Sequence, residues 1–195
     1  MMSDSIRDRI LDATVELLRR HGPGKTGVVD VARALNMSHS NVYKHFGSKS
    51  ALFDAVAERW LAHVMAPLTK ITADKKTPAP KRLKAWIRQL AETKRRKVLD
   101  DPEMFTVYTG ITAEAHDVVA RHLTHLHDEV SEILRDGAKA GDWPLKSTEA
   151  AARMLLNGTA RFHHPAMVQL DGGRSDLKEL DALVDLLIDG LQARG

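Results

Sequence analysis

The segment SHSNVYKHFGSKSAL, residues 38–52, surrounds a few apolar side chains with serine, histidine, lysine, asparagine and tyrosine. Asparagine and serine can form hydrogen bonds with base edges, and lysine, tyrosine and histidine can reach phosphates. Val42 and Phe46 are four residues apart and can hold one narrow edge of a helix against a core. Two structures fit this composition: a polar loop, or a short helix laid against a charged partner and followed by a second helix.

The residues before this segment are predicted to form a helix. Apolar side chains recur with helical period through residues 6–18, and the sequence HGPG at residues 21–24 ends the pattern. Ser3 or Ser5 can cap the N-terminus of this helix.

Two further short helices and the start of a fourth follow from the capping residues. Thr26 is a suitable N-cap for a second helix, and Asn36 stands where a left-handed turn residue is expected. Ser38 can cap a very short third helix that ends near Phe46, and Ser48 can cap the fourth. A helix, a tight turn and a second short helix together have helix-turn-helix geometry.

The rest of the chain is also predicted to be helical. Residues 72–82, with two prolines and several charges, are the clearest linker. No segment alternates strictly enough to indicate a strand, so the fold class is all-α with about nine helices. The helices after the linker are predicted at residues 80–99, 102–114, 116–140, 147–163 and 175–193.

Composition restricts the possible chemistry. The chain has no cysteine, which excludes disulfides, thiolate metal sites and a cysteine nucleophile. It has no apolar run long enough for a signal peptide or a membrane span, and we expect a cytoplasmic protein. The net charge is +2 over residues 1–60, +8 over residues 61–100 and −7 over residues 101–195. The basic first half is a hint of a polyanionic partner, although charged faces on solvated helices would give the same totals.

The stretch TGVVDVARALNMSHSNVYKHFGSKSALFDAV, residues 26–56, resembles the DNA-binding domain of TetR-family transcriptional repressors. The resemblance covers roughly residues 6–56. It implies a three-helix DNA-binding domain at residues 1–48 and a larger helical effector-binding and dimerisation domain at residues 49–195. The residues that match the family pattern are Thr26, Asp30, Ala32, Ser38, Tyr43, His45, Phe46, Ser48, Lys49 and Leu52.

The resemblance also implies roles for individual residues. Thr26, Tyr43 and Lys49 would hold phosphates, and Ser40 stands where the family often has glycine, so it could alter base preference. Gly27 replaces a residue that often contacts backbone phosphate. The full set of predicted DNA contacts is Thr26, Gly27, Ser38, His39, Ser40, Asn41, Tyr43, Lys44, His45 and Lys49.

A DNA-bound member of this family would be a homodimer that responds to a small molecule. The apolar stripe from Leu177 to Leu191 is wide enough to serve both the core and a partner, so we expect dimerisation through residues 147–163 and 175–193. A moderately hydrophobic effector is expected among the middle helices. The candidate lining residues, each of which could equally be core, are Trp60, His63, Trp86, Leu90, Phe105, Tyr108, His122, Leu126, Asn157 and Phe162.

Two alternatives use the histidines instead. His116, His122, His125 and His127 fall on one predicted helix, with Glu129 beyond them, and could begin the metal site of a metal-sensing repressor or of a helical metal-dependent enzyme. A metal site needs three or four convergent ligands, and the sequence lacks a phosphate-binding loop, a nucleophile elbow and an HExxH motif. We therefore expect a ligand-responsive repressor with no catalytic residue, metal or cofactor.

Overall fold

A computed structural model describes residues 5–193, and these residues form ten α-helices without a strand. The all-α prediction is confirmed, with one helix more than the nine expected. Two short 3-10 helices, Pro23–Lys25 and Ala160–Phe162, are also present. The α-helices are α1 (Ile6–His21), α2 (Val28–Ala34), α3 (His39–His45), α4 (Lys49–Ala73), α5 (Ala79–Asp100), α6 (Pro102–Glu114), α7 (His116–Ala140), α8 (Thr148–Gly158), α9 (Pro165–Asp171) and α10 (Leu177–Gln192).

Local capping sets the bounds of the first helices. The hydroxyl of Ser5 accepts a hydrogen bond from the Asp8 amide and caps α1, while Ser3 lies outside the described residues. Asn36 has φ 51°, the predicted left-handed conformation, and Ser38 caps α3 by accepting from the Asn41 amide at 3.2 Å. Ser48 accepts from the Ala51 amide at 3.0 Å, as predicted for the start of the fourth helix.

The N-cap prediction for the second helix was wrong. Gly27, not Thr26, precedes α2, and its backbone N–H donates to the Asp30 carboxylate at 3.0 Å. Thr26 is buried, and its hydroxyl donates to the Gly22 carbonyl at 2.9 Å. That hydrogen bond turns its side chain back toward the preceding turn and away from the free N–H groups of α2.

Proline positions account for the other boundary errors. The predicted linker shrinks to residues 74–78, because α4 runs to Ala73 and Pro80 lies in the first turn of α5, where a missing N–H costs nothing. In the same way Pro165 begins the unpredicted helix α9. The helix predicted at residues 147–163 is shorter in the structure. Helix α8 ends at Gly158, and the separate 3-10 helix Ala160–Phe162 follows it.

The chain divides into two compact units. The first contains Met1–Leu61 and Glu103–Val119, and the second contains Ala62–Pro102 and Ala120–Gly195. Both α4 and α7 therefore contribute residues to each unit. The functional boundary predicted between residues 48 and 49 stays a prediction. Among the described residues, no helix combines the length and apolarity that crossing a membrane requires.

The first three helices of the first unit are held together through α2. Helix α2 contacts both α1 and α3, and buried apolar side chains come from all three helices. The buried residues of α1 and α2 include Ile10, Leu11, Leu18, Val28 and Val31. Burial of such side chains supplies the main driving force for holding these short helices together.

In the second unit α5 packs against α9 and α10 around an apolar core. The core takes Leu83, Trp86, Ile87 and Leu90 from α5, Val130, Ile133 and Leu134 from α7, and Leu180, Val184 and Ile188 from α10. The guanidinium of Arg82 is buried beside this core. It donates to the carbonyls of Thr72 and Thr77 and to the Asp136 carboxylate, at 2.8, 3.1 and 2.8 Å.

A tryptophan and a glycine interlock at the end of α7. The Trp143 indole N–H donates to the Leu134 carbonyl at 2.7 Å, and the ring lies directly over Gly137. A Cβ atom on Gly137 would overlap with the indole ring. The Trp143 side chain and the backbone at Gly137 are therefore held in place by close packing.

We expect Gly137→Ala to lower the free energy of unfolding by about 1–3 kcal/mol, since a buried tryptophan must move to admit one methyl group. Urea unfolding followed by circular dichroism measures the change. The control is Gly110→Ala in α6, where an added Cβ meets no atom within 4 Å. That change should stabilise the protein by about 0.5–1 kcal/mol. Equal stability of the two variants would contradict the close packing of Trp143 on Gly137.

Candidate nucleic-acid interface and effector site

Helix α3 is held to the first unit along one edge. Val42 is fully buried, and Phe46, which follows the helix as its C-cap, is 3% exposed. Ser38 closes the other end through its cap. A seven-residue helix cannot be stable alone, so these contacts fix its position.

Most of the other α3 side chains are exposed to solvent. Tyr43 is 45% exposed although it is aromatic, while Asn41 and His45 are half-buried. The exposed predicted DNA contacts are Ser38, His39, Ser40, Tyr43, Lys44 and Lys49. They present hydroxyl, imidazole and ammonium groups from one short stretch of the first unit, a set that suits phosphates and base edges.

The predicted contacts before α2 are placed differently. Thr26 is 1% exposed and its hydroxyl is bonded to Gly22, so this side chain serves the turn in the structure. Gly27 is half-buried at the N-cap. The exposed Lys49 donates to the Pro23 carbonyl at 3.1 Å and lies 5.0 Å from the centre of the Phe53 ring. Lys49 thus ties the start of α4 to the turn before α2.

Arg7 also positions α3, although sequence reasoning did not select it. Its guanidinium donates to the His45 carbonyl at 3.2 Å and lies 4.4 Å from the centre of the Phe46 ring. A cation at the C-terminal end of a helix is favourable because the last carbonyls carry partial negative charge. No local pattern indicates this contact, because 38 residues separate Arg7 from His45.

Three of the predicted effector residues form an aromatic group in the first unit. The rings of Trp60 and Tyr108 are stacked, with centres 4.9 Å apart and planes 6° apart. Phe105 meets Trp60 edge-on at 6.2 Å. Trp60 and Phe105 are buried, and Tyr108 is half-buried.

The other predicted effector residues lie in the second unit. Trp86, Leu90, Leu126 and Phe162 belong to its apolar core, and the Trp86 indole donates to Glu129 at 2.8 Å. His122 is buried, with 8% of its surface exposed. His63 and Asn157 are both exposed. The structure thus groups four of these residues in one core and sets two at the surface.

The histidines of α7 diverge. His116 and His125 are exposed, and the His127 ring contacts the Glu149 carbonyl at 2.9 Å. Within residues 5–193 no three histidine or acidic side chains are grouped as a metal site.

Glu129, the acidic residue beyond these histidines, is already bound to donors of the second unit. Its carboxylate accepts hydrogen bonds from the hydroxyls of Thr69 and Thr72, at 2.5 and 3.2 Å, and from the Trp86 indole.

The second unit also buries a lysine that the sequence analysis missed. Lys94 of α5 is 3% exposed, and burial lowers its pKa to about 8. Burial, with a smaller effect from the Lys94 charge, also lowers the pKa values of His122 and His163 to about 4. A signal was present, because Lys94 continues the stripe of Leu83, Ile87 and Leu90 at helical spacing.

Comparison with known proteins places both parts of the chain in one family. Residues 10–56 match the family model described as "Bacterial regulatory proteins, tetR family". Residues 79–184, more than half of the chain, match the model described as "Tetracyclin repressor-like, C-terminal domain".

A curated relative is the HTH-type transcriptional repressor Rv3405c of Mycobacterium tuberculosis. It is 32% identical over 68 residues, which are 35% of this chain and 34% of the relative. The matched region thus spans about a third of that protein's length.

Solved structures resemble the whole chain at low sequence identity. SmeT, the repressor of the Stenotrophomonas maltophilia multidrug efflux pump SmeDEF, has a TM-score of 0.70 and 21% identity, covering 98% of this chain and 92% of SmeT. FadR of Bacillus subtilis, solved in complex with stearoyl-CoA, has a TM-score of 0.68 and 16% identity, covering 93% and 97%. These likenesses concern the fold. Together with the two family matches, they establish that this chain belongs to the TetR family, whose members are DNA-binding transcriptional regulators and not enzymes.

Proposed function

We propose that this chain is a dimeric repressor that a small, moderately hydrophobic effector releases from a two-fold-symmetric DNA operator. The observation that carries the proposal is the division of α3 into one buried residue, Val42, and an exposed polar surface. A helix with a narrow apolar edge and donors elsewhere suits the major groove of DNA.

The proposed contacts divide into two classes. Ser40 and Asn41 would form hydrogen bonds with base edges, because hydroxyl and amide groups can read them. Tyr43, Lys44 and Lys49 would contact phosphates, which position the protein without reading sequence. Lys49 has further N–H groups for a phosphate besides the one donated to Pro23.

Apolar surface on two helices of the second unit supports a dimer. Met154 of α8 is 65% exposed and Leu186 of α10 is 67% exposed, although both helices bury their other faces. The two helices are adjacent, since a Cβ on Gly158 would lie 3.8 Å from Leu187. A second copy of the chain covering this surface would give the two-fold symmetry that a palindromic operator requires.

The effector would act by favouring one of two dimer conformations. Only one separation of the two α3 helices fits the operator, so a ligand that binds the other conformation better reduces repression. Helix α4 is continuous from Lys49 to Ala73, and its residues belong to both units. We propose that this helix carries the change between them.

The alternative of a metal effector has less support from the described residues. Glu129 accepts three hydrogen bonds from protein donors, and His127 contacts a backbone carbonyl. These contacts occupy the Glu129 carboxylate and the His127 ring, which a metal ion would need as ligands.

We expect Tyr43→Ala and Lys49→Ala each to weaken binding to random-sequence duplex DNA by about tenfold or more at low salt, because each removes a phosphate contact. Fluorescence anisotropy with a labelled duplex measures the affinity. Circular dichroism verifies that the overall helix content of the variants is unchanged.

The matched control is Lys70→Ala, which removes one exposed positive charge from α4 in the second unit. Its affinity should stay close to that of the unmodified protein. If Lys70→Ala weakens DNA binding equally, the effect comes from net charge alone. If neither Tyr43→Ala nor Lys49→Ala weakens DNA binding, the proposed interface is contradicted.

We expect Leu186→Glu to convert the dimer to a monomer at micromolar concentration, because a carboxylate would be buried without a partner. Sedimentation velocity measures the mass. Leu123→Glu on α7 is the control, since Leu123 is 57% exposed and lies outside α8 and α10. A dimer that survives Leu186→Glu, or one that only Leu123→Glu disrupts, would refute this interface.

A further inference from the structure

Arg7 occupies a position that α1 alone does not explain. It is the second residue of α1, so its positive charge lies at the end of the helix where free N–H groups already carry partial positive charge. A cation there is unfavourable for α1, whereas Asp8 in the same turn has the sign that the helix dipole favours. The reason for an arginine at this position therefore lies outside α1.

Two contacts hold the guanidinium of Arg7 at the C-terminal end of α3. It donates to the His45 carbonyl at 3.2 Å and lies 4.4 Å from the centre of the Phe46 ring. Both partners are uncharged, so neither neutralises its positive charge. A guanidinium has five N–H groups in one plane, and contact with one carbonyl and one ring leaves N–H groups for another acceptor. Arg7 remains exposed to solvent, where such an acceptor can approach.

The last residues of α3 belong to the proposed DNA contacts. Lys44 is exposed and precedes His45, and Tyr43 is 45% exposed one residue earlier. Arg7 extends this group of exposed donors beyond the end of α3, and all of these residues belong to the first unit. At least half of the hydrogen bonds between proteins and DNA go to phosphates and sugars, which border the groove that a recognition helix enters.

The end of α3 would repel DNA if it carried no cation. The last carbonyls of a helix carry partial negative charge, which is unfavourable beside a phosphate. Seven residues at about 1.5 Å each make α3 about 10 Å long, close to the ~12 Å width of the major groove. An end of α3 in that groove therefore lies near the phosphates that border it. A cation bound to the last carbonyl replaces the repulsion by attraction.

We propose that Arg7 is a further DNA contact, whose guanidinium bridges the His45 carbonyl of α3 and a phosphate of the DNA backbone. This inference rests on the proposed function, because it requires α3 to lie against DNA. It adds a residue of α1 to contacts that the sequence predicted only within residues 26–49. It also accounts for arginine in place of lysine, since a planar guanidinium can lie against Phe46 and donate to two acceptors at once.

The salt dependence of binding to a random-sequence duplex tests this proposal. Each phosphate contact contributes about −0.9 to the slope of log K against log salt concentration. We expect Arg7→Met to make the slope shallower by about 0.9 and to weaken binding about tenfold near ~50 mM salt. Arg7→Lys should restore most of the slope, because lysine binds a phosphate as a point charge. Fluorescence anisotropy between about 50 and 200 mM salt measures the slope.

Two variants separate this contact from other effects. Arg9→Met removes an equal charge from the exposed Arg9, about 200° around α1 from Arg7, and should keep the slope of the unmodified protein. Arg7→Gln removes the charge but keeps an amide donor for the His45 carbonyl. It should make the slope as shallow as Arg7→Met does, whereas a residue that only braces α3 would tolerate glutamine without a change of slope. If Arg7→Met does not fold, as judged by circular dichroism, Arg7→Gln decides by the same criterion.

Three results would overturn the proposal. They are a slope that Arg7→Gln leaves unchanged, an equally shallow slope in Arg9→Met, or Arg7→Lys behaving like Arg7→Met. Absence of duplex binding by the unmodified protein at low salt would instead refute the proposed function. Retained binding with an unchanged slope refutes only the role of Arg7.

Discussion

The anchoring of α3 by Val42 is the constraint on which the N-terminal architecture depends. A seven-residue helix with one buried side chain has almost no stability of its own, so its neighbours must hold it. Phe46 adds a second buried contact, and Arg7 binds the carbonyl at the C-terminal end. Since these contacts use one edge and one end of the helix, the remaining polar side chains stay exposed and can serve a partner.

Burial of charge is the corresponding constraint in the second unit. Arg82 is buried with two carbonyls and the Asp136 carboxylate around its guanidinium, which makes it part of the fold. Lys94 is buried to the same extent, and burial lowers its pKa to about 8.

Features that depend on neighbouring residues could be predicted from the sequence. Helical periodicity, the Ser38 cap and the left-handed Asn36 depend on neighbouring residues and were correct. Thr26 was wrongly predicted as an N-cap because its buried hydroxyl donates backward to the Gly22 carbonyl and not to the first turn of α2. Helix α9 was missed because Pro165, a helix breaker in most positions, begins a helix here.

The candidate effector residues stay a prediction, because apolar spacing does not separate core residues from the lining of a pocket. Lysine is almost always exposed, so Lys94 was overlooked despite its place on the apolar face of α5. The polar surface of α3 was easier to predict, because hydrogen-bond donors that do not pack in an apolar core indicate a partner outside the chain.

The central claim is that two copies of α3, related by two-fold symmetry, read DNA. Selection of bound duplexes from a random pool tests it most directly. If the claim holds, the enriched duplexes will carry a two-fold-symmetric sequence whose half-sites are centred about one helical turn, ~10 bp, or more apart. Enrichment of a single motif without symmetry, or no enrichment over the starting pool, would contradict it.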